Sequence, residues 1–237
     1  KLGISTSGTD LGPFITMLHL AGAALLFISL LKVFLMTHNQ FSKDNKMTKN
    51  SRFKDFLNLT KPRLSTLVIF TMALGISSAP NSISLLQAFF SILATTMLVA
   101  GACAINCYME KDIDALMKRT QDRPLPAGRM KPQEALYFGY ALIAASLPIL
   151  YFSSNLLTVI LGFIAAVVYL YIYTPMKTKS GFAVFVGAIP GAIPPLMGWT
   201  TAMNEISSMG VVLFTLLFVW QLPHFFAIAL YHGEDYE

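Results

Sequence analysis

Long apolar runs are the feature that most limits what this chain can fold into. Its 237 residues are 55% hydrophobic and only 12% charged, which is about half the charged fraction of an ordinary soluble domain. The runs are long enough to cross about 30 Å of hydrocarbon as helices. In lipid, a chain that does not close into a barrel can satisfy its backbone only as a helix. The sequence therefore predicts an all-α, polytopic membrane helical bundle.

Seven apolar segments have the length of membrane-spanning helices, and the second is the shortest. The predicted spans are Leu11–Met36, Leu64–Ala79, Ser84–Ile105, Ala135–Phe152, Leu156–Tyr173, Phe182–Thr201 and Met209–Leu230. The prolines and glycines of "GAIPGAIPPLMGW" (187–199) predict a broken helix at membrane depth, which survives only where protein or a cavity surrounds it. We divide the chain into an extra N-terminal helix (1–36), a basic cytoplasmic linker (37–54) and a membrane domain (55–237).

Basic side chains are concentrated in three of the connections between these spans. Most of the 17 Lys and Arg residues fall within 43–63, 111–131 and 177–179, and the other connections carry almost no charge. This alternation follows the positive-inside rule, which places the three basic connections in the cytoplasm and the N-terminus outside. The net charge of +5 therefore indicates membrane topology rather than nucleic-acid binding.

The stretch "NCYMEKDIDALMKRTQDRPLPAGRM" (106–130) places acids and bases directly after an apolar span. Asn106, Glu110 and Asp114 are spaced four residues apart, so on a helix they line one face over about 12 Å. An amide and two carboxylates on one stripe can hold Mg²⁺, which prefers oxygen ligands and leaves positions for substrate phosphates. The alternative is that these acids only make the loop soluble.

Basic residues near this stripe predict an anion site on the same face of the membrane. Guanidinium and ammonium groups bind phosphate oxygens, so metal-binding acids followed by arginines indicate a site for a metal–diphosphate complex. The candidates are Arg119, Arg123, Arg129, Lys61, Arg63, Lys177 and Lys179. Because any cytoplasmic loop of a membrane protein is rich in Lys and Arg, topology alone is the alternative explanation for each of them.

Polar residues in apolar helices are further candidates. Gln221 and His224 lie in "WQLPHFFAIALYHGEDYE" (220–237), where they contact substrate or form a helix-to-helix hydrogen bond. Asp235 in the same stretch could be a metal ligand on a wall opposite the first acidic stripe. His19 is either a haem ligand or a buried, hydrogen-bonded histidine.

Four stretches within 55–237 resemble, in order, successive segments of the membrane-embedded aromatic prenyltransferases. They are "LTKPRLSTLVIFTMALG", "NCYMEKDIDALMKRTQDRPLPAGRM", "YTPMKTKSGFAVFVGAIPGAIPPLMGW" and "WQLPHFFAIALYHGEDY". "RTQDRPLPAGR" and "WQLPHFFAIA" are similar to the branch of that family that farnesylates protohaem IX. The family signature Asn-x-x-x-Asp-x-x-x-Asp matches Asn106, Glu110 and Asp114, except that Glu110 is one methylene longer than the usual Asp.

This resemblance implies transfer of a farnesyl group from farnesyl diphosphate to a vinyl group of protohaem IX, in the inner membrane of a bacterium. Mg²⁺ is the implied metal, and Asn106, Glu110, Asp114, Arg119 and Lys177 are the implied catalytic residues. The family has nine membrane helices, six of which are expected here, so the domain is expected to be incomplete at its C-terminus. Residues 1–36 resemble the final part of haem A synthase, which implies fusion to or association with that enzyme.

Two other functions remain open from the sequence. A prenyltransferase of the same class could instead use a quinone precursor as acceptor. A transporter of amphipathic anions could use the broken helix with Gln221 and His224 as its path. Transporter sites lie near the bilayer midplane, whereas the charges of this chain gather at one membrane surface.

Overall fold

The computed structural model describes residues 52–231, apart from the side chains of Phe226 and of residues 228–231. Contacts divide the chain into two units, Lys1–Lys49 and Asn50–Glu237, and the described residues all belong to the second. The predicted first span, most of the linker, His19 and Asp235 lie outside the described residues. The helices are α1 (Arg52–Leu59), α2 (Pro62–Ser78), α3 (Leu85–Asp114), α4 (Pro132–Ser153), α5 (Leu156–Val167), the π-helical segment π1 (Val168–Tyr173), α6 (Thr174–Met176), α7 (Ala183–Met203) and α8 (Ser208–Tyr231).

Every secondary-structure element within residues 52–231 is a helix, as predicted. Five helical stretches are long and apolar enough to cross a membrane: Leu85–Asp114, Pro132–Ser153, Leu156–Met176, Ala183–Met203 and Ser208–Phe225. α2 has only 17 residues, which agrees with the short second span in the sequence. Together with α1, from which it is bent by 50°, it forms a sixth candidate span. The protein is an integral membrane protein.

Polar caps determine where two of the spans begin. The Ser84 side chain accepts a hydrogen bond from the backbone N–H of Gln87 at the start of α3, and Asn155 does the same for Thr158 at the start of α5. Both caps satisfy backbone donors that a helix N-terminus leaves open. Each of the two spans therefore begins directly after a short connection, since α2 ends at Ser78 and α4 at Ser153.

The proline-rich segment of α7 differs from the prediction of a broken helix. α7 is helical from Ala183 to Met203 although Pro190, Pro194 and Pro195 lie inside it. Every residue from 192 to 201 is buried. Proline is tolerated in a membrane helix where neighbouring helices surround the freed backbone groups. The predicted protein environment is therefore correct, and the predicted break is wrong.

Glycines allow α7 to approach its neighbour α2 closely. A Cβ atom at Gly75 would lie 2.0 Å from the carbonyl oxygen of Pro195, and one at Gly198 would lie 2.1 Å from that of Met72. No side chain fits at such distances, so these positions require glycine. This contact packs α2, which begins just after Lys61, against the buried part of α7.

The connection between α3 and α4 folds back onto the helices rather than extending into solvent. Its Leu125 and Met130 join a buried cluster with α1, α3 and α4, whose other members are Leu59, Ala104, Cys107 and Ala135. Burial of apolar side chains is the main favourable term in folding. The cluster therefore holds the basic connection and the α1–α2 junction against the last turns of α3.

Candidate active site

α3 carries Asn106, Glu110 and Asp114 on one buried face. The helix continues to Asp114, beyond the predicted end at Ile105, so all three side chains lie on one unbroken element. Their exposed fractions are 1%, 7% and 4%. The stripe is turned into the protein and away from open solvent. Two carboxylates buried this deeply require partners, because a buried unpaired charge is very costly.

Asn106 has a partner at each end of its amide. Its Oδ1 accepts a hydrogen bond from Lys61 Nζ at 2.5 Å, and its Nδ2 donates to Thr174 Oγ1 at 3.0 Å. Lys61 comes from the junction between α1 and α2, and Thr174 from the end of the span α5–π1–α6. The amide therefore joins two parts of the bundle that are distant in sequence.

The carboxylates of the stripe pair with two further cations. Glu110 Oε1 lies 3.3 Å from Lys177 Nζ, which follows α6. Asp114 Oδ2 lies 2.6 Å from Arg123 Nη1 in the connection between α3 and α4. The buried hydroxyl of Thr120 donates to the backbone carbonyl of Asp114 at 2.8 Å, which fixes the start of that connection. Each oxygen-bearing member of the stripe thus faces one basic side chain.

Three separate segments supply these cations, and this convergence is the main property of the site. Lys61 lies before α2, Arg123 lies between α3 and α4, and Lys177 lies after α6. Folding brings them to one stripe, where carboxylate, amide and basic groups alternate. Such a site can exchange its internal ion pairs for a ligand that carries both a cation and several anionic oxygens.

Lys61 adopts an uncommon backbone conformation at the bend between α1 and α2. Its φ of 47° and ψ of 68° lie in the left-handed region, which a residue with a Cβ rarely occupies. Pro62 follows as the first residue of α2 and restricts the conformation of the residue before it. Strain of this kind is concentrated at functional sites. Here it accompanies the contact of Lys61 with Asn106.

Arg129 lies in the same connection as Arg123 but contacts a different group. Its Nε lies 3.1 Å from Asp55 Oδ1, and its Nη2 donates to the backbone carbonyl of Asp122 at 2.8 Å. The Asp55 side chain is 4% exposed. This ion pair ties α1 to the connection after α3. The assignment of Arg129 to substrate remains a prediction.

Other predicted residues lie at the surface near the stripe. Arg63 is exposed in the first turn of α2, Arg119 is exposed in the connection after α3, and Lys179 is exposed after α6. Asp112 is exposed and pairs with Lys111 at 2.7 Å. The assignments of Arg63, Arg119 and Lys179 to the diphosphate remain predictions.

The predicted polar residues of α8 lie in two environments. Gln221 packs against α7, since a Cβ at Gly191 would lie 2.1 Å from its Nε2. The ring of His224 is stacked on Trp220, with centroids 5.0 Å apart. Asp235 lies outside the described residues, so the structure does not place the predicted opposing wall.

Thr174 and Asp55 are site residues that the sequence did not single out. Thr174 occurs in "YTPMKTKS", whose lysines are candidates for the anion site, and nothing in that motif marks the hydroxyl as a partner of Asn106. Asp55 occurs in "RFKDFLNL", where a signal was available. A lone acid on a short helix whose other charged residues are basic indicates a buried basic partner, because an unpaired buried charge is unstable.

The donor set of the stripe fits Mg²⁺. Its members offer carboxylate and amide oxygens, the hard ligands that this ion takes, and a Mg²⁺ site needs only one or two protein carboxylates besides phosphate and water. Among residues 52–231 no three His, Cys, Asp or Glu side chains cluster closely enough to hold a metal ion. The third oxygen donor of the stripe is the amide of Asn106.

A family comparison agrees with this geometry. The model of the UbiA prenyltransferase family matches residues 67–237. This chain belongs to the UbiA prenyltransferase family. Membership confirms the resemblance to membrane-embedded prenyltransferases, and the matched region includes α3 with its stripe.

Several relatives carry one name. Over 184 residues, this chain is 53% identical to the protoheme IX farnesyltransferase of Anaeromyxobacter dehalogenans. The matched region covers 78% of this chain and 62% of that protein. The protein of that name from Myxococcus xanthus is 48% identical over 182 residues, covering 77% and 62%. The chain therefore spans about three fifths of the length of these relatives.

Solved structures share the fold. A UbiA homolog from Archaeoglobus fulgidus bound to DMAPP and Mg²⁺ superposes with a TM-score of 0.61 at 21% identity, covering 72% of this chain and 62% of that one. The same homolog bound to GPP and Mg²⁺ gives a TM-score of 0.59 at 23% identity, with the same coverage. At these identities the likeness establishes the helical architecture alone.

Proposed function

We propose that this protein transfers a farnesyl group from farnesyl diphosphate to a vinyl group of protohaem IX. The observation that carries the proposal is the buried stripe of Asn106, Glu110 and Asp114, with one basic side chain on each member. The family supports prenyl transfer, and the shared name of the relatives supports protohaem as the acceptor.

The stripe and its cations can exchange partners when the substrate enters. Asn106, Glu110 and Asp114 would hold Mg²⁺, which when bound supplies Lewis-acid stabilisation of charge on the diphosphate. Lys61, Arg123 and Lys177 then lose their internal partners, and their N–H groups become available to diphosphate oxygens. The ion pairs of Arg123 and Lys177 and the hydrogen bond of Lys61 thus keep these cations in place before substrate binds.

The bond between C1 of the farnesyl group and the diphosphate oxygen breaks, and negative charge grows on the leaving group. Fixed donors that strengthen as charge develops lower the barrier, because they need no reorganisation during the reaction. Lys61, Arg123 and Lys177 supply such donors, and Arg119 is a predicted fourth. The other product of this cleavage is an allylic cation.

The allylic cation is attacked by the terminal carbon of the protohaem vinyl group, which forms the new carbon–carbon bond. The positive charge then lies on the carbon next to the porphyrin. Water adds there and loses a proton, which gives a hydroxyethylfarnesyl side chain and free diphosphate. Buried apolar residues that precede the stripe on α3, such as Ala102 and Cys103, would limit the access of water to the cation before the bond forms.

We propose that the site lies at the cytoplasmic face of a bacterial inner membrane. The three basic connections flank the stripe, and the positive-inside rule assigns such connections to the cytoplasm. This position at one membrane surface favours an enzyme over a transporter. Association with haem A synthase through residues 1–36 remains a prediction.

Product analysis with competing acceptors tests the proposal. Membranes containing the protein are incubated with farnesyl diphosphate and Mg²⁺, with either protohaem or 4-hydroxybenzoate, and the extracts are analysed by mass spectrometry. We expect a haem that has gained a farnesyl group and one hydroxyl group, and an unchanged benzoate. Prenylated benzoate with unchanged haem would assign the acceptor to quinone synthesis. No diphosphate release with either acceptor would refute prenyl transfer.

A further inference from the structure

π1 changes the hydrogen-bond register at the end of the fifth span. In this segment the backbone N–H of Thr174 donates to the carbonyl of Tyr169, five residues earlier, whereas an α-helix uses the residue four earlier. Short π-helical segments inside α-helices occur frequently at functional sites. The shift brings the Thr174 side chain, which is 6% exposed, against α3.

The Thr174 hydroxyl has its single proton committed. Its Oγ1 donates to the carbonyl oxygen of Tyr169 at 2.8 Å, so towards any other group it can act only as an acceptor. The neighbouring group is the Asn106 amide, and an acceptor there selects its NH₂ end. The observed contact from Asn106 Nδ2 to Thr174 Oγ1 at 3.0 Å is that arrangement.

The oxygen end of the Asn106 amide is thereby directed towards Lys61. With Nδ2 on Thr174, the Oδ1 of Asn106 faces Lys61 Nζ at 2.5 Å. A flipped amide would set its oxygen against a hydroxyl oxygen that has no free proton. It would also set its NH₂ group against the ammonium group of Lys61. Both of these groups are donors, so no hydrogen bond could form between them. Asn106 is 1% exposed, so water cannot replace the lost bonds.

We propose that Thr174 is a positioning residue that orients the Asn106 amide so that its oxygen, and not its nitrogen, is presented to the metal–diphosphate complex. This inference rests on the proposed function, because it gives a role to the same stripe. The π-helical register is the part of the fold that makes it possible. The chain of bonds from the Tyr169 carbonyl through Thr174 to Asn106 has only one consistent direction.

The test compares three variants by a binding measurement rather than by turnover. Thr174→Val keeps the shape and removes the acceptor, and Thr174→Ser keeps the hydroxyl. Thr201→Val is the matched control, since it removes a buried hydroxyl that donates to the Met197 carbonyl at 2.7 Å in α7. The bound fraction of Mn²⁺ is measured by electron paramagnetic resonance on the purified protein with inorganic pyrophosphate.

We expect Thr174→Val to weaken Mn²⁺ binding by about 10–100-fold, the usual cost of losing a group that orients a metal ligand. The Mn²⁺ affinities of Thr174→Ser and Thr201→Val should stay within about threefold of wild type, because neither substitution removes a group that orients a metal ligand. In an Asn106→Asp background both ends of the side chain are oxygens. There, Thr174→Val should cause no further loss of Mn²⁺ affinity. This background also separates an orientation effect from general misfolding.

Two results would overturn the inference. One is wild-type Mn²⁺ affinity in Thr174→Val, and the other is an equal loss in Thr174→Val with and without Asn106→Asp. If the wild-type protein itself binds no Mn²⁺ in the presence of pyrophosphate, the proposed function fails instead. The two failures are therefore distinguished by the wild-type measurement.

Discussion

Lys61 Nζ lies 2.5 Å from the amide oxygen of Asn106, although the two residues are 45 positions apart in the chain. The contact joins the bend before α2 to the last turns of α3. It converts three polar residues on one helix into a site that contains its own cation. The same relation recurs for Glu110 with Lys177 and for Asp114 with Arg123.

Asp114→Asn should greatly reduce prenyl transfer without loss of membrane insertion. Asparagine keeps the shape but removes the charge that pairs with Arg123 and would hold the metal. Because even outer partners of metal ligands typically contribute 10–100-fold, we expect a loss of at least about 100-fold. Initial rates of diphosphate release measure it. Asp112→Asn is the control, since the Asp112 side chain is 84% exposed, and it should retain the wild-type rate. Equal effects of the two substitutions would contradict the assignment.

Substitutions of Glu110 test whether the length or the charge of the side chain at the centre of the stripe matters for prenyl transfer. Glu110→Asp shortens the side chain towards the form that the related family pattern has, and it withdraws the carboxylate from Lys177. We expect transfer within about tenfold of wild type, because the charge is kept, and a loss of about 100-fold in Glu110→Gln. Rates measured across a Mg²⁺ titration give both values. A Glu110→Gln enzyme as active as Glu110→Asp would exclude a role for the charge.

Two substitutions of Lys61 distinguish the effect of its strained backbone on stability from the effect of its side chain on activity. Glycine occupies the left-handed region without steric cost, so Lys61→Gly should be more stable than Lys61→Met by about 1 kcal/mol. Both variants lose the ammonium group and should lose transfer activity to the same extent. Thermal unfolding in detergent and transfer rates are measured in parallel. Lower stability in Lys61→Gly would show that the residue at this bend is not strained.

The pair of Asp55 and Arg129 should stabilise the junction of α1 with the connection after α3. A double-mutant cycle with Asp55→Asn and Arg129→Gln should give a coupling of about 1–2 kcal/mol, reduced from a fully buried pair because the Arg129 side chain is 31% exposed. Unfolding in detergent is the readout. Additive effects of the two substitutions would mean that the ion pair contributes nothing.

Sequence patterns predicted the parts of the site that depend on local spacing. The face shared by Asn106, Glu110 and Asp114 follows from helical periodicity alone, and the spans follow from hydrophobicity. Partners from distant segments could not be assigned in this way. Three lysines and several arginines were equally plausible, and only tertiary packing selects Lys61, Arg123 and Lys177.

Two errors of the sequence reading have physical causes. π1 lies in "VYLYIY", an apolar run in which a shift of one residue changes no visible pattern, so the contact of Thr174 with Asn106 was not predicted. In α7 the prolines predicted a break, but the close approach of α2 at Gly75 and Gly198 buries the weakened helix. In α7, packing that the sequence does not display overrides the local preference of proline.

The position of the metal tests the central claim most directly. Crystals of the protein with Mn²⁺ and a non-hydrolysable farnesyl thiodiphosphate would be measured at the manganese absorption edge. We predict an anomalous peak between the oxygens of Asn106, Glu110 and Asp114, at roughly 2.0–2.3 Å from its ligands, as expected for such ions. Lys61, Arg123 and Lys177 should then contact the diphosphate. A peak elsewhere, with Lys61, Arg123 and Lys177 still paired to Asn106, Asp114 and Glu110, would contradict the account.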